Sequence, residues 1–402
     1  MEIPPSEVIE RVVRESYGRL VSYLSANTGD IADSEAFLSD ALTKALKIWP
    51  ESGVPKNPEA WLLAVARRTH IDAIRRERIH SRALDYLAPM GAVEAPESSE
   101  FPDRRVQLLF ACAHPDIDPS AQTPLMLNTI LGLTAERIAS AFLIHPSNMG
   151  QRLVRAKRRI RELGIPFQIP ESELFCQRRD AVLEAIYAAF GIGWESNVPA
   201  GENTHADLAE ESIYLGRVLL SQMPQDPEVL GLVAFMMYVH ARRAARFSTT
   251  GHFVPLLEQD PKDWDHELLD EADRLLTRAS KRKEIGRFQL LASIQSAQTV
   301  RRHSGAINWE AILVLYHGLN QRFATVGSLV GLAAALFHLE RYEQAAAALA
   351  ELPKKQTDAY QPYWVLKALI FEKSGDLPEA QAARSRAVGL TESPAIRAFL
   401  SM

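Results

Sequence analysis

Between Pro146 and Glu162 the chain reads PSNMGQRLVRAKRRIRE, and its polar residues are of two chemical kinds. Ser147, Asn148 and Gln151 carry hydroxyl or amide groups that donate and accept hydrogen bonds, as reading the edge of a base requires. Arg152, Arg155, Lys157, Arg158, Arg159 and Arg161 follow, with no acid until Glu162. Solvated helix faces usually mix signs. A face of one sign suits a polyanion, and phosphates neutralised by arginine and lysine supply much of nucleic-acid affinity. A second cluster, Arg67, Arg68, Arg75, Arg76, Arg78 and Arg82, lies in WLLAVARRTHIDAIRRERIHSR. There Asp72 is spaced to share a helix side with Arg68, Arg75 and Arg76 and to orient a guanidinium by a charge-assisted bond. His70 falls on the same helix; it is read as packed or solvated, with facing a base as the sharper alternative.

A different chemistry is conceivable at CAHPDIDP, where His114, Asp116 and Asp118 combine imidazole and carboxylate, donors that suit several divalent cations. The plainer expectation is a loop whose aspartates cap the next helix. GHF at 251–253 and the glycines around 191 lack the surroundings of a phosphate loop, and no nucleophile–base pair is recognisable. No catalytic residue, metal ligand or cofactor is therefore assigned, and the chain reads as a binding protein rather than an enzyme.

These groups need helices to hold them. The chain has 402 residues, 47% of them hydrophobic and 24% charged, which gives an ordinary globular composition with room for two or three domains. A net charge of −5 excludes a wholly basic coat protein but not a local basic face. Only two cysteines, Cys112 and Cys176, are present, too few and too far apart for a disulfide framework. No signal peptide or membrane span is visible, so a cytoplasmic location is expected.

Helical periodicity dominates and strand signals are scarce, so the expected fold class is all-α. Residues 5 to 82 read as several helices: one from Val8 to Leu24, one over DIADSEAFLSDALTKALKIW stopped by Pro50 and the Gly53/Pro55 loop, and one capped by Asn57 with Pro58 at its first position. Residues 83–102 lose the period and read as a linker. Residues 103–165 are helical again. Thr134 is placed to cap a helix whose buried face is Ile138, Ala139, Phe142 and Leu143, and His145-Pro146 should end it. Ser147 should cap the next, whose apolar stripe is Met149, Leu153, Ala156 and Ile160. Two helices, a short turn and small polar residues opening the second describe a helix-turn-helix, whose second helix enters the major groove.

Residues 166–180 read as a second boundary, and from about 181 the chain is Ala- and Leu-rich helix. Near its end Leu329, Ala333, Leu336, Tyr342 and Ala345 recur, offset by 35 positions, as Trp364, Ala368, Phe371, Leu377 and Ala380. That offset is close to the tetratricopeptide period.

These segments resemble the extracytoplasmic-function sigma factors of bacterial RNA polymerase, in the subgroup with a long C-terminal tetratricopeptide-like extension. GDIADSEAFLSDALTKALKIWP is similar to the segment that grips the clamp helices of the polymerase's largest subunit. NPEAWLLAVARRTHIDAIRRE resembles the helix that melts and reads the −10 element. DRRVQLLFACAHPDIDPSAQTPLMLNTILGLTAERIASAFLIHPSNMGQRLVRAKRRIRELGIPF resembles the −35-binding domain. PEVLGLVAFMMYVHARRAAR and LLEQDPKDWD are similar to the extension.

The resemblance implies a region 2 at 1–82, a linker at 83–102, a region 4 at 103–165 and a helical extension at 166–402. Asp33, Glu35, Phe37, Leu38, Asp40 and Leu42 would then contact polymerase. Trp61, Arg67, Arg68, Thr69, Asp72, Arg75 and Arg76 would meet the −10 element. Ser147, Asn148, Gln151, Arg152 and Arg155 would meet the −35 element, with Lys157 and Arg158 on phosphate. The implied partners are core polymerase, through its clamp helices and the flap of its second subunit, and promoter DNA. Three places depart from the family pattern: Glu35-Ala36 and Ser39 stand where Glu-Asp and Gln are usual, FGIGW replaces an Asn-Glu-Gly-Tyr stretch, and CAH replaces Cys-Cys-His. The competing expectation is a helix-turn-helix regulator that acts without polymerase and senses through its repeats.

Overall fold

A computed structural model describes residues 4–81, 101–142, 144–170, 174–195 and 206–402; the side chains of 76–81, 174, 195, 206 and 207 are not among those described. The fold is all-α, as expected, with no strand among the described residues beyond an isolated bridge between Phe247 and Phe253. The expected linker falls almost entirely outside the described residues, as does Leu143. The chain forms two compact units, Met1–Ile192 and Gly193–Met402.

The first unit opens with α1 (Pro5–Thr28), α2 (Ile31–Ser52) and α3 (Pro58–Ser81). Helix α1 presents Val8, Ile9, Val12, Leu20, Val21 and Leu24 to the core and closes on Gly29 in the left-handed conformation. Asp30 caps α2, its carboxylate accepting from the Asp33 amide at 3.1 Å. Helix α2 runs through Pro50 to Ser52 and stops at Gly53, the start of the Gly53/Pro55 loop expected to end it together with Pro50. Pro50 lies in its last turn, and the carbonyl the proline leaves without a helical donor belongs to Leu46, which is exposed to water. Asn57 caps α3 as expected, accepting from the Ala60 amide at 3.0 Å.

Five further helices complete this unit: α4 (Arg105–Cys112), α5 (Pro119–Leu131), α6 (Ala135–Ala141), α7 (Pro146–Leu163) and α8 (Leu174–Glu195), the last reaching the boundary between the units. Asp118 caps α5 through the Ser120 amide at 2.9 Å, the structural role foreseen for that aspartate. Thr134 caps α6. The cap of α7 is His145, not Ser147: its Nδ1 accepts from the Ser147 amide at 3.3 Å while the Ser147 hydroxyl lies 2.8 Å from the same nitrogen. Pro146 therefore starts a helix rather than ending one, because a first-turn residue has no use for the amide hydrogen that proline lacks. The helix after the expected boundary at 165 stays with the first unit, where Phe175 stacks on Phe110 with ring centroids 5.7 Å apart.

Helix α1 also packs on α4 and α5, so residues 4–81 and 101–165 share one body. Gly18 makes this possible. A Cβ there would sit 1.8 Å from the carbonyl oxygen of Ile130, so only hydrogen fits between the helices. Tyr17 lies beside Gly132. Phe101 is buried edge-on against Tyr23 with the Arg19 guanidinium 4.3 Å over its ring.

The second unit begins with α9 (Ala206–Gln222), α10 (Pro227–His240), α11 (His266–Ser280) and α12 (Arg287–Thr299). Helix α10 is apolar nearly all round and is enclosed by the other three. Gly231 lets α12 approach its backbone, since a Cβ there would meet the Gln289 nitrogen at 2.6 Å. Glu228 accepts from the amides of Phe288 and Gln289, at 2.9 and 3.2 Å, and so caps α12 from a neighbouring helix.

The remainder is α13 (Arg301–Ser304), α14 (Trp309–Phe323), α15 (Val326–His338), α16 (Tyr342–Ala350), α17 (Lys354–Thr357), α18 (Gln361–Ser374), α19 (Leu377–Gly389) and α20 (Pro394–Leu400). The duplicated positions fall on two helix pairs, α15–α16 and α18–α19. Ala333, Leu336 and Ala345 in the first pair, and Ala368 and Ala380 in the second, are buried.

Candidate nucleic-acid interface

Helix α7 seats itself by its apolar stripe. Met149, Leu153, Ala156 and Ile160 are all buried and pack towards α5 and α6. The pairing of α6 with α7 across Phe142–His145 makes the helix-turn-helix that the spacing implied. With the stripe fixed, the 100° step per residue turns Ser147, Asn148, Gln151, Arg155, Arg158 and Arg159 outward, and all six are exposed. The first three lie in the first two turns of the helix.

The cations of α7 are not equivalent. Arg152 turns back to the carbonyl of Ser120 at 3.0 Å. Arg155 donates to the carbonyl of Gln151 at 3.3 Å, and Arg158 pairs with Glu162 one turn on at 3.0 Å. Lys157 is engaged most fully: its Nζ lies 2.7 and 2.6 Å from the two carboxylate oxygens of Glu35, and the paired side chains are only 13% and 21% exposed. Arg161 meets Asp30, itself nearly buried, at 3.1 Å.

Lys157 was expected on phosphate and Glu35 on polymerase, and the structure brings the two together. Asp30 was not singled out, and Arg161 was read only as one of the cations of this helix. The available signal was an acidic segment, Asp30, Asp33 and Glu35, in a molecule with two basic helices.

The other residues expected on α2 divide by burial. Asp33 and Asp40 are exposed, Phe37 and Leu42 are half-buried, and Leu38 lies in the core at 1% exposure. Ala36 and Ser39, the two departures, are exposed beside them. His70 rests against the Phe37 ring, centroids 5.3 Å apart.

On α3, Trp61 meets Trp49 edge-on at 5.4 Å. Arg67 is drawn inward: it donates to the Tyr23 hydroxyl and lies 4.9 Å over that ring. Thr69 donates to the Val65 carbonyl at 3.1 Å and accepts from Lys44 at 3.3 Å. Arg68 and Arg75 are exposed, and Asp72 pairs loosely with Arg75 at 3.8 Å. Arg76 continues on the helix backbone, while its side chain, like those of Arg78 and the more distant Arg82, lies outside the described residues. Arg68 and Arg75, seven residues apart, thus share an open face from which Arg67 is withdrawn.

Burial and the Thr129 hydroxyl set the state of Cys112, the last residue of α4: loss of solvent outweighs the hydrogen bond and pushes its thiol up to about 12. His114 is held below its ordinary value, first by burial and then by the Arg178 charge. Its Nδ1 accepts from the Asp116 amide at 3.2 Å. No group of three metal-ligating side chains occurs among the described residues, and none of their helices is long and apolar enough to cross a membrane.

Comparison with known proteins adds to this geometry. Sigma-70 region 2 matches residues 12–79, which are α1, α2 and α3, and a family of unknown function (DUF6596) matches residues 178–280. An uncharacterized protein of Rhizobium meliloti (strain 1021) is 32% identical over 396 residues, covering 96% of this chain and 92% of its own length. No solved structure matches. The chain thus belongs to one family with that uncharacterized Rhizobium protein, and the sigma-70 region 2 formed by its first three helices supports a sigma-70 family sigma factor.

Proposed function

We propose that this chain is an extracytoplasmic-function sigma factor that carries its own regulatory extension. Sigma-70 family proteins are initiation factors rather than enzymes: they bind core RNA polymerase and promoter DNA. In the finer reading, α2 contacts the clamp helices of the largest subunit, α3 opens and reads the −10 element, and α7 reads the −35 element while its module meets the flap. The observation that carries it is the coincidence of the region 2 match with α1–α3, followed in the same unit by a helix-turn-helix whose second helix exposes Ser147, Asn148, Gln151 and Arg155.

Each step has a physical basis. Open-complex formation needs bases held out of the stack, which aromatic and cationic side chains on one helix favour. Arg68 and Arg75 stand on the open side of α3, and the half-buried Trp61 lies one helical stretch before them. At the −35 element, amides near the helix N-terminus suit base edges and the later arginines suit phosphates. The helix pairs α15–α16 and α18–α19 support reading the second unit as tetratricopeptide-like, an architecture that offers a concave surface to peptides or to another domain. Residues 181–402 then contact the sigma core or polymerase and tune promoter opening in place of a separate regulator. All of this belongs in the cytoplasm, with polymerase and promoter DNA.

The deciding experiment is transcription in vitro with purified full-length protein, core polymerase from the native host and a pool of genomic promoter fragments. Discrete new start sites that vanish in the Arg75→Ala/Arg76→Ala variant support the reading. Tight duplex binding without polymerase, and no transcripts from either full-length protein or a 1–170 fragment, would sink it in favour of a polymerase-independent regulator.

A further inference from the structure

In the second unit, α10 runs into the segment ARRAAR, Ala241 to Arg246, whose arginines meet different partners. Arg243 pairs with Glu210 at 2.8 Å, and Arg246 donates to the Trp194 carbonyl at 2.7 Å. Arg242 turns inward and is only 7% exposed. Its terminal nitrogens donate to the side-chain oxygens of two neutral amides on α12, Gln295 and, at 3.4 Å, Gln298, and its Nε has no hydrogen-bond partner. Arg301, at the start of α13, donates to the carbonyls of Leu257, at 2.7 Å, and Gln259. Its guanidinium stands 5.4 Å over the buried Trp264 ring, and its Nε is likewise without a partner.

Amides and carbonyls satisfy donors, but they do not cancel charge. Neither Arg242 nor Arg301 forms an ion pair among the described residues. The acids of the neighbouring helices are committed elsewhere: Asp270 and Asp273 each meet Arg302 at 2.8 Å, and Glu210 meets Arg243. Burial first, and then the Arg301 charge, push the Arg242 guanidinium down to about 10, so it still carries its charge at neutral pH. A buried ion without a counter-charge is costly, and a second cation beside it adds to the cost. The surroundings are built rather than loose. The Asp265 amide donates to the Ala241 carbonyl at 2.9 Å and ties the preceding loop across the end of α10. Gln259 accepts from the Trp264 indole at 3.2 Å, which fixes the ring under Arg301.

We propose that Arg242 and Arg301 are the cationic arms of a binding site for a phosphate-type dianion, with Gln295 and Gln298 as its neutral walls. Two unpaired single charges match one doubly charged oxyanion, and each planar guanidinium presents a fork that fits a pair of its oxygens. Arg301 is half-buried, which leaves the anion a way in from solvent. The glutamine amides can then turn their NH2 groups to the bound oxygens. The site does not rest on the function proposed above.

The test is calorimetric titration of inorganic phosphate into the full-length chain, with thermal melts in phosphate and in chloride of equal ionic strength. Wild type should bind phosphate saturably at one site, and its melting temperature should rise with phosphate but not with matched chloride. Arg242→Lys keeps the charge but loses the fork, and should bind about ten-fold more weakly. Gln298→Glu supplies the missing counter-charge from within: it should melt higher than wild type in chloride and lose the phosphate response. Acetate, with a single charge, should bind at least about ten-fold more weakly than phosphate. Absence of saturable binding by wild type, with equal melts in phosphate and chloride, overturns the site. Phosphate binding that Arg242→Lys and Gln298→Glu both leave unchanged does so too, and acetate binding as tight as phosphate overturns the dianion. No readout involves polymerase, so a chain that binds phosphate here but never supports transcription upholds the site and removes the sigma reading.

Discussion

Helices α3 and α7 each carry an apolar side and a set of cations, yet the cations are placed differently. On α3 one arginine, Arg67, is drawn into the bundle against Tyr23, and Arg68 and Arg75 are left on an open face. On α7 the residues near the N-terminus stay free for base edges, while Lys157 and Arg161 near the C-terminus are paired with acids of α2. The contrast shows that arginine and lysine counts along a helix do not measure the charge offered to DNA. What counts is the charge left over after the protein's own acids are satisfied.

That comparison can be broken at several levels. The largest effect should come from the seat of α7: Leu153→Ala, at a buried position, should cost ~2–5 kcal/mol in denaturant unfolding. Loss below ~1 kcal/mol would mean that the helix is held by its charges instead. Next, Arg67→Ala should destabilise by ~1–3 kcal/mol, since it removes a hydrogen bond and ring contact from a part-buried site. Arg68→Ala, exposed on the same helix, should leave stability within ~0.5 kcal/mol while lowering transcription.

Arg152→Ala should weaken −35-dependent binding by ~1–3 kcal/mol if Arg152 leaves the Ser120 carbonyl to make a bidentate base contact. An equal loss on every sequence would make it a phosphate contact. Arg158→Ala should be the mildest for folding, within ~0.5 kcal/mol in thermal melts, because its Glu162 partner is an exposed neighbour one turn away.

A titration sharpens the picture of the bundle beneath these helices. Cys112 keeps its proton up to about 12 in the fold, against 9.0 for an ordinary thiol. Stability from this group is thus complete below the ordinary value and declines as pH rises from there, where only the unfolded chain ionises. A Cys112→Ala chain should show a shallower alkaline loss of stability than wild type. In native alkylation at mild pH, Cys176, which is exposed, should react, and Cys112 should react only in denaturant.

Much of α7 was legible because four apolar residues at spacings of four, three and four leave a helix only one way to lie. Its cap was not legible. Histidine is an uncommon cap, and Pro146 reads equally well as the end of one helix or the start of another until the backbone shows His145 accepting from Ser147. Pro50 misled in the same way, since proline near a solvent-facing helix end withholds a hydrogen bond that water replaces. The Lys157–Glu35 pair was invisible for a different reason: neither helix specifies the other's position, and their meeting depends on α1 packing against α5. Gly18 was the available hint, because glycine inside an amphipathic helix weakens it and calls for a close approach as the reason.

The Gly18–Ile130 approach also has a consequence for synthesis. Helix α1 ends at Thr28, but the α5 backbone it packs against ends at Leu131. At ~5–20 residues per second, roughly a hundred residues must emerge after α1 before that surface has its cover, a delay of several to twenty seconds. During that interval the nascent chain displays the groove around Tyr17 and Gly18 to whatever waits at the ribosome, and the first module is complete as a fold before it is complete as a surface.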